Sequence, residues 1–82
     1  MNVISWNVHK RSRRVTEQVA AIKGHRPDIL ALQEVALKAW PLWREAAGTM
    51  GLNHSRFSLD HAAAYDAKHG VALFSRWPFA AA

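Results

Sequence analysis

The segment Pro27-Asp28-Ile29-Leu30-Ala31-Leu32-Gln33-Glu34-Val35 constrains this chain more than any other. Apolar side chains from Ile29 to Leu32 favour a buried strand, and the Pro27-Asp28 turn signal fixes where it begins. The run ends on a carboxylate. Glu34 therefore falls at the strand's C-terminal end, the edge where open α/β sheets gather their ligands. A second strand opens the chain, Met1-Asn2-Val3-Ile4-Ser5-Trp6-Asn7-Val8, with Asn7 near its end. An amide and a carboxylate on two strand ends supply half of a metal and phosphate site.

Between these strands, Val15, Val19, Ala20 and Ile22 recur at helical spacing, which predicts a helix over 15–23. Gly24 offers the left-handed residue that commonly ends a helix, and Pro27 forbids continuation. Strand, helix and strand joined by short connections make a βαβ unit with parallel strands. Beyond Glu34, Trp40, Trp43, Ala46, Ala47 and Met50 predict a second helix, with Pro41 in its first turn and Gly48 or Gly51 at its end. A short strand is expected over 53–59, a polar, Ala-rich loop over 60–69, and a final strand at Gly70-Val71-Ala72-Leu73-Phe74-Ser75. The predicted order is β-α-β-α-β-β, an α/β chain. A sheet ending there exposes an edge and a face, so self-association through the open sheet is expected.

An 82-residue chain holds a single small domain. Half of its residues are hydrophobic and four are Trp, which argues against disorder. With no cysteine, disulfides and thiolate zinc sites are excluded. A strand starting at residue 2 leaves no space for a secretory leader, and the apolar runs are too short to span a bilayer. Both point to a cytoplasmic location. The net charge of +5 favours phosphate-bearing partners, although much of it sits in one cluster, Lys10, Arg11, Arg13 and Arg14. That cluster reads equally as a solvated loop or as a contact to a polyanion.

Each candidate has a plain structural reading. Glu34 alone is a soluble strand end, and Asn7 alone a turn residue bonding its own backbone. As a pair they suit a hard cation such as Mg²⁺, which needs few protein carboxylates and takes the rest of its shell from water and phosphate. Trp6, Trp40, Trp43, Phe57, Phe74 and Trp77 offer base-stacking faces, but those in strands are expected in the core. His25 falls at a helix C-terminus, where a partly charged imidazole is favourable. His54, His61 and His69 are expected at the surface, and Asp60-His61 or Asp66-x-x-His69 make poor catalytic dyads.

Three segments in order resemble the endonuclease/exonuclease/phosphatase family of DNase I-like and apurinic-endonuclease-like enzymes. Ile4-Ser5-Trp6-Asn7-Val8 is similar to the family's opening strand with its active-site Asn. The Pro27–Val35 segment is similar to the strand that ends on its metal-binding Glu. Gly70-Val71-Ala72-Leu73-Phe74-Ser75-Arg76-Trp77-Pro78 resembles its Gly-x-Ala-x-x-Ser-Arg-x-Pro strand. The resemblance implies the N-terminal part of a two-sheet α/β sandwich, residues 1–82 being an incomplete domain. It also implies a hydrolase acting on phosphodiesters or phosphomonoesters, nucleic acid among them, with Mg²⁺ or Mn²⁺. Glu34 would hold the metal, and Asn7 would orient phosphate or the carboxylate partner of the attacking water. His9 and Arg11 are candidate substrate contacts. Gln33 is expected on the opposite face from Glu34, in packing or support. None of the five histidines matches the family's catalytic His, and the Asp-x-Asn and paired Asp and His motifs are absent from these residues. Weak or no turnover is therefore expected of the 82-residue chain alone. The alternative is a basic, non-catalytic binding module built on the same fold.

Overall fold

A computed structural model describes residues 1–8, 15–58 and 69–79. The predicted order is found. Strand β1 (Val3–Asn7) leads to helix α1 (Val15–Gly24) and strand β2 (Ile29–Ala36). A 3₁₀ turn at Leu37–Ala39 enters helix α2 (Trp40–Thr49), followed by β3 (His54–Phe57) and β4 (His69–Ser75). The strands form one mixed sheet in the order β1-β2-β4-β3. β1 and β2 run parallel with Val3 opposite Ile29 and Asn7 opposite Gln33, whereas β4 lies antiparallel to both β2 and β3.

Alternation along each strand separates the two faces. Leu30 and Leu32 of β2, Ala72 and Phe74 of β4 and Phe57 of β3 are buried beneath the helices. Ile4 and Trp6 of β1 pack against the same core. α1 contributes Val15 and Ile22, and α2 contributes Trp40, Trp43 and Ala47, one turn apart along a single stripe. Trp40 stacks on Phe57 and Phe74 at centroid distances of 4.6 and 5.5 Å. The strand aromatics Phe57 and Phe74 are thus core residues, while Trp77 is 45% exposed. Val3 and Val71 on the other face remain 61% and 52% exposed. The described elements form one sheet and one helical layer, a slab with extents of 35 × 34 × 18 Å. The second sheet of the expected sandwich is not among the described residues.

The helix ends differ from one another. α2 closes on Gly51 at φ +81°, with Leu52 N–H donating to Ala47 O and Gly51 N–H to Gly48 O. That pattern is a Schellman cap, and buried Leu52 packs at its base beside buried Ala47. α1 does not use Gly24 in this way. Gly24 stays helical, and the last turn tightens through His25 N–H to Ile22 O and Arg26 N–H to Lys23 O. The left-handed residue is Arg26, at φ +50°, directly before Pro27. Its carbonyl and that of His25 accept bonds from the Asn2 amide, which offsets the turn's conformational cost.

Candidate active site

Parallel pairing of β1 and β2 brings their C-terminal ends together, and with them Asn7 and Glu34. A regular β2 would fail here. Leu30 and Leu32 face the helices, so strict alternation would push Glu34 into the core and Val35 out of it. The register instead shifts between Leu32, opposite Ala72, and Val35, opposite Gly70. Gln33 and Glu34 together span the place of one partner residue, Val71, which is a β-bulge. Glu34 takes up the distortion at φ +55°, and Val35 returns to full burial.

Magnitudes explain why the bulge wins. A left-handed conformation costs a non-glycine residue about 1–2 kcal/mol. An unpaired carboxylate among Leu30 and Leu32 would cost about several kcal/mol. Exposing Val35 would forfeit about 1.5 kcal/mol more. Strain is the smaller cost.

The bulge also changes which side chains meet. The Asn7 amide Nδ2 donates to Glu34 Oε2. The Gln33 amide Nε2 donates to Ser5 Oγ at 2.9 Å. Ser5 and Asn7 lie two residues apart on one face of β1, so Gln33 and Glu34 both lean to that face. The expectation that Gln33 points away from Glu34 holds for a regular strand and fails at this one. Val8 N–H donates to Gln33 O at 3.0 Å and carries the β1–β2 ladder past the distortion.

The contact between Asn7 and Glu34 sets a carboxylate beside an amide. No group of three or more His, Cys, Asp or Glu side chains gathers among the described residues. A carboxylate with an amide suits a hard cation that keeps water and phosphate in its shell. His9 and Arg11 lie outside the described residues, as do the rest of the basic cluster, Asp60, His61 and Asp66. His54 is half-buried on the edge strand β3 rather than fully at the surface.

The opposite end of the sheet holds a second constellation, for which the sequence motifs suggested no role. Asp28 Oδ2 accepts from the Asn2 backbone N–H at 2.8 Å, and Oδ1 accepts from Arg76 Nε at 3.0 Å. Arg76 N–H donates to Asp28 O at 3.0 Å, and Asp28 N–H donates to Asn2 O at 2.8 Å. The Asn2 backbone N–H, and then the Arg76 guanidinium, hold the Asp28 carboxyl below the ordinary Asp range. This cluster ties the entries of β1 and β2 to the exit of β4. The available signal was the presence of Pro27-Asp28 and Ser75-Arg76-x-Pro78 at the ends of two strands that pair antiparallel.

Comparison with known proteins agrees with this arrangement. Residues 4–82 match the model of the Endonuclease/Exonuclease/phosphatase family. The structure is similar to a crystal structure of an endonuclease/exonuclease/phosphatase from Beutenbergia cavernae DSM 12333, with a TM-score of 0.74 and 22% identity. The match covers 98% of this chain and 27% of that one, so this chain spans about a quarter of that protein's length. No curated protein sequence matches significantly.

Proposed function

This chain belongs to the endonuclease/exonuclease/phosphatase family, and from that premise we propose that it supplies the amide–carboxylate portion of a divalent-cation-dependent phosphoesterase site. The observation carrying the proposal is the Asn7–Glu34 hydrogen bond at a strained bulge on the ends of two parallel strands. Strain retained at a polar, partly buried pair is characteristic of functional sites.

Glu34 would hold Mg²⁺ or Mn²⁺ through its carboxylate, and Asn7 fixes the orientation of that carboxylate by donating to one oxygen. When bound, the cation supplies charge to polarise a phosphoryl oxygen and to stabilise a departing alkoxide. The observed contact supports a role for Asn7 in positioning the Glu34 carboxylate, beside the two roles expected of it, orienting phosphate or the carboxylate partner of the attacking water. Glu34 belongs to no group of three or more His, Cys, Asp or Glu side chains among the described residues. The chain therefore binds phosphodiester in a cation-dependent way and turns it over weakly or not at all. Net positive charge assists encounter with nucleic acid.

Two assays test this together: fluorescence anisotropy of a labelled DNA duplex with and without Mg²⁺, and cleavage of bis(4-nitrophenyl) phosphate. The expected result is Mg²⁺-dependent binding that Glu34→Ala abolishes, with turnover near background. Binding that ignores Mg²⁺ and survives Glu34→Ala would overturn the proposal and identify a basic binding module. Robust metal-stimulated turnover lost in Glu34→Ala would overturn the weak-turnover part alone.

A further inference from the structure

One contact beside the site is not used by the cation or by Asn7. Gln33 and Glu34 occupy the bulge together, yet they bond to different residues of β1, Ser5 and Asn7. The Gln33 backbone carbonyl is held by the N–H of Val8, the residue after β1, at 3.0 Å. Gln33 is thus gripped at its side-chain amide by β1 and at its carbonyl by the residue that follows it, immediately before the residue that takes φ +55°. A left-handed residue in a bulge swings its side chain through a wide arc when the preceding peptide tilts. Buried Val35 fixes the chain after Glu34. The chain before Glu34 is fixed by Gln33.

We propose that Gln33 and Ser5 are positioning residues, whose side-chain hydrogen bond holds the bulge so that the Glu34 carboxylate stays on the Asn7 amide. Neither touches substrate or cation; both act through Glu34. The inference deepens the phosphoesterase reading, and its cation-binding consequence rests on that reading. The geometric core does not, because it concerns the contact between Asn7 and Glu34 in the metal-free chain. Outer groups that orient a metal ligand typically change affinity about 10–100-fold when removed. Ser5 is exposed and Gln33 is only half-buried, so the lower end of that range applies here.

The test reads the Asn7 side-chain NH₂ resonances in the ¹⁵N NMR spectrum of the metal-free chain, assigned by their loss in Asn7→Ala. Mn²⁺ affinity by electron paramagnetic resonance is the second readout. Gln33→Ala and Ser5→Ala should each move the Asn7 pair towards its position in Glu34→Ala and weaken Mn²⁺ binding about tenfold. The double variant should be no worse than either single one, and Ser5→Thr, which keeps the hydroxyl, should restore the wild-type spectrum. Asn7 resonances unmoved in both alanine variants would overturn the proposal, whatever the Mn²⁺ affinity does. If the wild-type chain fails to bind Mn²⁺ while the Asn7 pair still moves, the positioning role stands and the cation reading falls. Should Gln33→Ala fail to fold, Ser5→Ala and Ser5→Thr on the neighbouring strand decide the matter.

Discussion

At one end of the β1–β2 pair the backbone is distorted and side chains converge on Glu34. At the other, Asp28 joins Asn2, the start of β2 and Arg76 beyond β4, and the left-handed residue, Arg26 at φ +50°, lies in the turn before the strand rather than within it. Both ends carry a carboxylate accepting hydrogen bonds from β1 or its approach. They differ in whether the carboxylate itself sits on the left-handed residue. The Glu34 end tolerates a left-handed glutamate to present a charged group on the open face, whereas the Asp28 end uses its charge to close three chain segments together. The first arrangement is expected to matter for binding and little for stability, the second the reverse.

The helical layer beneath both ends provides the reference for separating them. Trp43→Ala removes a fully buried indole and should cost about 3–5 kcal/mol. That loss removes most of the margin of a small domain, so thermal unfolding should show both ends lost together. A variant that stays folded with intact Mn²⁺ binding would mean the site end does not depend on this core.

Glu34→Gly separates the ends most sharply. It relieves the left-handed strain, worth about 1–2 kcal/mol, and loses a charge-assisted bond with Asn7 worth about 1.5–3 kcal/mol. Stability should stay within about 1 kcal/mol of wild type while Mn²⁺ affinity falls by a factor of about 100 or more. A large drop in thermal midpoint would show that Glu34 is structural after all.

Gly51→Ala should act at the other end. It forces a side chain into φ +81° and brings its Cβ to 2.8 Å from Arg76 Nη1. Arg76 can retreat, so the backbone term dominates, at about 1–2 kcal/mol. The displaced guanidinium then weakens its bond to Asp28, while Mn²⁺ affinity should not change. Equal losses in Gly51→Ala and in Gly51→Ala with Arg76→Ala would show that the two residues are uncoupled.

The smallest effect is acid sensitivity. Asp28 has a folded-state pKa below its unfolded value. Its contribution is therefore fully present above the unfolded pKa and is lost as pH falls through the folded one. Thermal midpoints measured from about pH 5 down to about pH 2 should fall less steeply in Asp28→Asn than in wild type. Identical slopes would remove Asp28 from the account of acid stability.

Much of this contrast was visible in the residues themselves. Ile29–Leu32 marked a buried strand, and the helical stripes of α1 and α2 located the core. The parallel βαβ order then required Asn7 and Glu34 to approach each other. The bulge was not legible, because Leu-Gln-Glu-Val reads as a regular strand until the burial of Val35 is known. Period-two reasoning consequently set Gln33 and Glu34 on opposite faces, whereas the bulge brings Glu34 round to the face that Gln33 already occupies. The Asp28–Arg76 bond joins residues 48 apart, and its pairing depends on β4 inserting beside β2, which no local pattern specifies. Gly24 looked like the helix-ending residue, but Asn2 draws the carbonyls of His25 and Arg26 and moves the left-handed turn to Arg26. Local chemistry identified the elements, and long-range contacts decided their details.

We propose that Asn7 and Glu34 form a cation site separate from the structural end of the sheet. Mn²⁺ binding by electron paramagnetic resonance, in wild type and in Glu34→Gln, addresses it most directly. Wild type should show a bound fraction that disappears in Glu34→Gln, with thermal midpoints nearly equal. Equal Mn²⁺ binding by the two proteins, or none by wild type, would contradict it.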